Sequence, residues 1–204
     1  MNAPLISPPA PRRHLICLDL VRSELGRPAQ ARRRLGACRR VLTHARDSGW
    51  MVTHVHPRSA AKADGSIEGL EPLPSERLVY RTGVSAFSNR SFCEAVRIGE
   101  GAELILVSLS LSSAFLVTAV TAHDWGLRVG APSDAVLADG GEPWSADSLA
   151  SAAIAAFVRF SSAAELTDAR QALRLVVDRS GAAPVVAASR RTPWLRVVAA
   201  ASEG

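Results

Sequence analysis

The stretch from Glu103 to Val136, E-L-I-L-V-S-L-S-L-S-S-A-F-L-V-T-A-V-T-A-H-D-W-G-L-R-V-G-A-P-S-D-A-V, does most to limit what this chain can become. Its apolar, β-branched run Leu104–Leu109 reads as a strand buried on both faces. A serine cluster follows at Ser108, Ser110, Ser112 and Ser113. The Ala/Val/Leu/Thr segment Ala114–Trp125 is long enough for about three helical turns. Gly126 stands where a helix C-terminal glycine belongs. A short apolar run, Leu127–Val129, resumes before Pro132. Strand, tight turn, helix and strand make one βαβ unit. In such units ligands collect at the strand-to-helix turn, because helix N-terminal N–H groups point into it.

The flanking chain repeats the alternation. His14–Val21, H-L-I-C-L-D-L-V, is an apolar run broken by one acid, Asp19. A carboxylate is costly to bury inside a central strand. The strand's carboxyl end, at a site, is the better place for it. Ala29–Ser48 reads as a helix whose Leu35, Cys38, Val41, Leu42 and Ala45 follow the i, i+3, i+4 period. The arginines at 32–34, 39, 40 and 46 fall to a solvated face, and Gly49 closes the helix. Trp50–Val55 is the second strand, ended by His56-Pro57. His54 and His56 share one of its faces, a pair that can bind metal, but no third ligand is in view. Ala60–Ser75 reads as a long loop, a place where function often sits. Arg77–Arg81 is a short strand, Thr82–Asn89 a turn region and Arg90–Ile98 a short amphipathic helix. Beyond the βαβ unit come a helix over Trp144–Phe157, a short strand over Val158–Phe160 and a helix from Ser162 towards Leu175.

Alternating strands and helices imply an α/β fold: a three-layer α/β/α sandwich around a mainly parallel sheet. The site then lies at the carboxyl ends of the strands. Element order alone puts Asp19, His56, Arg81 and the Ser108–Ala114 turn there. Residues 1–12 are expected to form a flexible, proline-rich lead, 13–170 the folded domain, and 171–204 a tail. That tail could add a strand, dock on a partner subunit or stay partly disordered.

Charge and cysteines narrow the setting. The net charge is +5 and Lys62 is the only lysine. An arginine excess can mean an anionic partner, and a nucleic-acid-binding module is one reading. The arginines are dispersed, however, with no basic stripe interleaved with aromatics, so nucleic acid is disfavoured. Cys17, Cys38 and Cys93 are widely spaced inside apolar patterns and suggest neither a disulfide framework nor a metal clip. The N-terminus has no apolar signal core, and no run of about 18 apolar residues offers a membrane span. A cytoplasmic protein without membrane contact, metal or cofactor is expected.

The quoted segments, taken together, resemble the isochorismatase-like superfamily, also called cysteine hydrolases, over roughly residues 13–170. L-I-C-L-D-L-V is similar to the family's opening strand with its catalytic aspartate. A-R-D-S-G-W-M-V-T-H-V-H resembles its A-R-x-x-G-x-x-V junction. L-E-P-L-P-S-E-R-L-V-Y-R-T-G-V-S-A-F resembles its loop, strand and S-A-F element. T-A-V-T-A-H-D-W-G-L-R-V with S-D-A resembles the helix after the nucleophile and the closing D-A.

The resemblance implies amidase chemistry by an aspartate base, an assisting lysine and a cysteine thiolate. Asp19 matches the aspartate. The lysine position falls on Arg81, and the cysteine position, counted from Thr118-Ala119 and Gly126, falls on Ala114. The family's glutamine, two residues after the aspartate, is Val21. Alanine rules out thioester chemistry. Arginine keeps the charge but replaces a point donor with a planar fork that holds its proton. A serine stand-in at Ser112 or Ser113 lacks a nearby base, since His123 lies too far along the same helix; those serines read as helix caps.

Two readings follow. The first is a catalytically inactive or atypical member that keeps a small-molecule or partner-binding site. The alternative is a hydrolase of an isochorismate-like vinyl ether, because family members that act so can lack the cysteine. There Asp19 would protonate the enol-ether carbon and Arg81 would hold a substrate carboxylate. An arginine beside Asp19 favours the ionised carboxylate, which opposes that role. His56, Phe87, Ser110, Ser113 and Phe115 are the expected lining of the ligand site. The resemblance also implies a homo-oligomer, with Trp125, Trp144 and Trp194 as candidate anchors.

Overall fold

A computed structural model describes residues 12–25, 28–61, 65–98, 101–109, 111–136 and 154–168. The expected lead, the C-terminal tail, Ser110, and most of the helix expected over Trp144–Phe157 lie outside these residues.

Strand β1 (Arg13–Leu18) leads to helix α1 (Pro28–Asp47) and strand β2 (Met51–Pro57). Strand β3 (Arg77–Arg81) and helix α2 (Arg90–Ile98) follow. The focal unit is strand β4 (Glu103–Val107), helix α3 (Ser113–Asp124) and strand β5 (Arg128–Pro132). Strand β6 (Arg159–Ser161) and the short helix α4 (Ala163–Thr167) complete the set. The strands form one sheet in the order β3-β2-β1-β4-β5-β6, and every neighbouring pair is parallel. The sheet is thus parallel throughout its described strands, where the sequence suggested mainly parallel.

Side-chain alternation divides the core into two layers. Ile16, Leu18, Val55, Val79, Leu104 and Leu106 face one side, against Phe92 and Val96 of α2 and Phe115, Ala119 and Ala122 of α3. Leu15, Cys17, Val52, Ile105 and Val107 face the other, against Cys38, Val41, Leu42 and Ala45 of α1 and Leu166 of α4. This is why the strands read as continuous apolar runs: both faces are covered, and each large aliphatic side chain removed from water contributes about 1.5–3 kcal/mol. Glu103 opens the otherwise apolar β4 and is 5% exposed. Its carboxylate survives there by pairing with Arg13, at 3.2 Å, and with Arg159.

The helix ends follow local chemistry. Ser112 caps α3, its hydroxyl accepting from the Phe115 N–H at 3.3 Å. Gly126 takes φ +72°, and the Gly126 and Leu127 N–H groups return to the His123 and Ala122 carbonyls in a Schellman motif. Ser162 and Glu165 form a capping box on α4. Asp134 accepts the Ala163 N–H at 2.8 Å.

Arg32, Arg33, Arg39 and Arg40 are exposed, as a solvated face requires, but Arg34 and Arg46 correct that expectation. Arg34 is buried, 7% exposed. Arg39 donates to the Glu68 carbonyl, and Arg46 grips both carboxylate oxygens of Glu76 at 2.7 and 2.9 Å. These contacts hold the loop before β3 against α1, with Ile67 and Leu70 buried beneath it. No helix among the described residues is long and apolar enough to cross a membrane.

Candidate functional site

Parallel pairing brings the candidate residues to one edge of the sheet. The register sets Cys17 level with His54 and with Val107, His56 level with Tyr80, and Pro57 level with Arg81. Asp19 follows β1 directly and Arg81 is the last residue of β3, so both stand at carboxyl ends. The Ser108–Ala114 turn leaves the carboxyl end of β4, next to β1.

Asp19 does not continue the strand. Its φ is +53°, and among the described residues it is the non-glycine residue with positive φ. Aspartate is one of the few side chains that tolerate this left-handed conformation. The Asp19 N–H donates to the Val55 carbonyl at 2.8 Å, fixing the turn to β2. The side chain, 5% exposed, meets Arg81 in a two-point pair. Arg81 Nε donates to Oδ1 at 3.1 Å and Nη2 to Oδ2 at 2.9 Å. Arg81 reaches across β2 to do this, since β1 and β3 are not neighbours and stand about 10 Å apart at ordinary strand spacing. Its Nη1 donates to the Gly83 carbonyl at 2.8 Å, so three of its N–H groups are committed. Charged, two-point bonds of this kind are among the stronger side-chain contacts.

Ala114 lies in the first turn of α3 and is 2% exposed. Ser113 beside it is exposed, while Phe115 is fully buried in the α2/α3 core layer. A side chain without exposed surface offers a ligand no contact unless the core opens. Phe87 sits on the same layer, its ring edge-on to Phe92 at 5.0 Å and to Trp125 at 4.7 Å. The segment carrying Phe87 is pinned to α3 by the Ala86 N–H, which donates to the buried Thr118 hydroxyl at 2.9 Å. Ser110 lies outside the described residues.

His56 is buried at the carboxyl end of β2, with ring contacts to Tyr80 and His54. The two histidine rings are 6.4 Å apart. His54 Nε2 is tied to Glu76 at 3.0 Å rather than aimed at a shared ligand. Burial would push the Glu76 carboxyl up. Hydrogen bonds from Arg46, the Leu73 N–H and His54 outweigh it and hold the group down at about 2. Burial also lowers His54, against the opposing pull of Glu76. No group of three His, Cys, Asp or Glu side chains among the described residues could hold a metal ion. Cys17 and Cys38 are buried, and burial raises both thiols, Cys38 to about 12. Neither thiol is poised as a nucleophile.

Arg34 is the participant that sequence reasoning missed. From α1 it donates to the Leu109 carbonyl at 2.6 Å and reaches the Leu25 carbonyl at 3.5 Å. Those carbonyls belong to the loops that follow β4 and β1. One guanidinium therefore ties the turn leading to Ala114 to the loop that follows Asp19. The signal was available: Arg34 lies four residues before Cys38, on the apolar stripe of the helix.

Comparison with known proteins adds to this geometry. The family model described as Isochorismatase domain matches residues 14–165. An isochorismatase from Pseudomonas putida KT2440 is 25% identical, with a TM-score of 0.63 over 77% of this chain and 92% of that one. N-carbamoylsarcosine amidase from Thermoplasma acidophilum is 18% identical, with a TM-score of 0.61 over 74% and 96%. An isochorismatase family protein from Burkholderia thailandensis is 18% identical, with a TM-score of 0.64 over 80% and 96%. The latter two speak for the fold alone. A comparison with curated proteins finds no match.

Proposed function

The chain belongs to the isochorismatase family, and we propose that it is a member that has lost cysteine-dependent amide hydrolysis while keeping a small-molecule or partner-binding site. The observation that carries this reading is the Arg81–Asp19 pair. An aspartate whose two oxygens both face one guanidinium is first of all the charge partner of that arginine. To take a proton from a nucleophile, or to give one to a substrate, it has to be freed from the fork. Ala114 supports the same reading, because a methyl group forms no acyl intermediate.

The alternative, in which Asp19 protonates a vinyl ether, needs the neutral acid. Both Asp19 oxygens instead accept from the Arg81 fork, which leaves neither aimed at a substrate. Should a substrate carboxylate draw Arg81 away, that objection would weaken, so the two readings part on turnover. Purified protein is assayed with isochorismate and with a panel of primary amides, with Asp19→Asn as the control. The expected result is no turnover of any substrate by either form. Turnover that Asp19→Asn abolishes would sink the proposal and leave the alternative standing.

The proposal includes a cytoplasmic setting and a homo-oligomer. The exposed Val117 and Val120 of α3 and the neighbouring Trp125 support an interface there. Val120→Glu is expected to lower the mass measured by light scattering while leaving the melting temperature within a few degrees, as for other surface changes.

A further inference from the structure

Away from Asp19, Arg81 and Ala114, a groove of about 620 Å³ runs along the outer edge of β3. β3 is the end strand of the described sheet. Its five residues span about 16 Å at ordinary strand rise. Arg77 stands at the start of β3, whereas Arg58 and Thr82 stand just past the paired ends of β2 and β3. The groove thus carries two guanidiniums, and that of Arg77 reaches the Ser91 carbonyl on α2. Leu78, 39% exposed, supplies apolar surface, while Val79 beside it is buried in the core.

The charge is not balanced locally. No Asp or Glu among the described residues lines the groove. Glu76, next to Arg77 in sequence, is taken up by Arg46, His54 and the Leu73 N–H. Glu94 pairs with Arg90. Among the described residues, Arg58 has no hydrogen bond or ion pair and Arg77 makes one bond, from Nη1 to the Ser91 carbonyl at 3.2 Å. Asn89 closes one side: its amide donates to the Tyr80 carbonyl at 2.9 Å, which removes an acceptor that would repel an anion. The Tyr80 and Ser91 hydroxyls are further donors. The volume lies within the range of small-molecule sites, roughly 300–1,000 Å³.

We propose that this groove binds a small organic dianion, dicarboxylate or phosphate monoester, held by Arg58 and Arg77 with its apolar body resting on Leu78. Guanidinium forks are well matched to both oxyanions. The binding does not depend on the reading given for Asp19 and Ala114. Since Thr82 directly follows Arg81, occupancy would be felt at the base of the Arg81 fork.

The test is isothermal titration of the full chain with glutarate, phenyl phosphate and inorganic phosphate, with neutral glutaramide as a control. The variants are Arg58→Gln, Arg77→Gln and, as a remote charge control on α1, Arg40→Gln. Glutarate or phenyl phosphate is expected to bind with a dissociation constant below about 10 mM, and Arg58→Gln to weaken it about tenfold. Arg40→Gln and glutaramide are expected to show no such effects. Because Arg58 is exposed and makes no described bond, its variant keeps the fold even if Arg77→Gln does not. Binding of inorganic phosphate as tight as that of phenyl phosphate would remove the apolar body from the proposal. Absence of binding, or equal weakening by Arg40→Gln, would overturn it. So would a hexaglutamate peptide that outcompetes both dianions, because it would mark the edge as a site of strand addition.

Discussion

Asp19 occupies a backbone conformation that most side chains avoid, at a cost of about 1–2 kcal/mol. Its presence therefore has a conformational reason that is independent of proton transfer. Asp19→Asn keeps that conformation and removes the charge, which makes it the informative knockout. Asp19→Ala adds backbone strain to the loss of the ion pair. Urea denaturation is expected to find Asp19→Ala less stable than Asp19→Asn by about 1 kcal/mol; equal stabilities would remove the conformational argument. Ala114 is the opposite case. It stands in an ordinary helical turn, where substitution meets no backbone penalty. Ala114→Cys alone is expected to stay inactive, since Arg81 still grips Asp19. The double variant Ala114→Cys/Arg81→Lys is expected to release ammonia from a primary amide such as nicotinamide, where neither single variant does. Inactivity of the double variant, with its fold verified by circular dichroism, would mean that more than these two positions separate this chain from its catalytic relatives.

At the level of elements, Arg34 shows how a helix can govern a site from below. Arg34→Met keeps much of the side-chain volume but strands the Leu109 carbonyl. A loss of about 1–3 kcal/mol in urea denaturation is expected, the penalty for a buried unsatisfied acceptor. Hydrogen exchange should quicken first in the turn before α3. Unchanged protection there would mean that the turn holds itself. The same helix marks where sequence reading stops. The strands and helices were legible because covered strands read as apolar runs and the helices carry a 3.6-residue period. The place of Asp19 at the carboxyl end of β1 was legible because it was the lone acid in such a run. The two-point pair with Arg81 was not, because it spans β2 and depends on strand order. Arg34 and the half-buried Arg46 were misread because arginine counts as polar in any pattern. Its long stem can still lie in an apolar layer while the fork finds carbonyls or a carboxylate. The loop before β3 read only as long and polar; its packing depends on Arg39 and Arg46 and on Ile67 and Leu70.

For the whole molecule, buried histidines set the acid limit. Burial, with the Arg77 guanidinium adding to it, holds His14 down from 6.5 to about 4. His54 is lowered as well. Between these values the unfolded chain takes up protons that the folded chain refuses, so stability is full above about pH 6.5 and falls as the pH drops towards 4. His14 alone is expected to cost about 2 kcal/mol between pH 7.5 and pH 5. His14→Gln, which can keep the bond to Thr53, should flatten that part of the curve. An unchanged slope would move the effect elsewhere. Glu76 enters only below about 4.5, where the unfolded chain takes up its proton while the folded carboxylate, held by Arg46 and His54, resists until about 2. The strand order has a kinetic consequence as well. In a sheet with only parallel neighbours no hairpin can form early, and the central pairing of β1 with β4 joins Arg13 to Glu103 across 90 residues. Until β4 has been synthesised and docked, β1 has a bare edge and half of the core lacks its partner. Folding is then a late event for this chain, on the slower side for its size. A fragment that stops before Glu103 should stay unstructured however well its own helices are encoded.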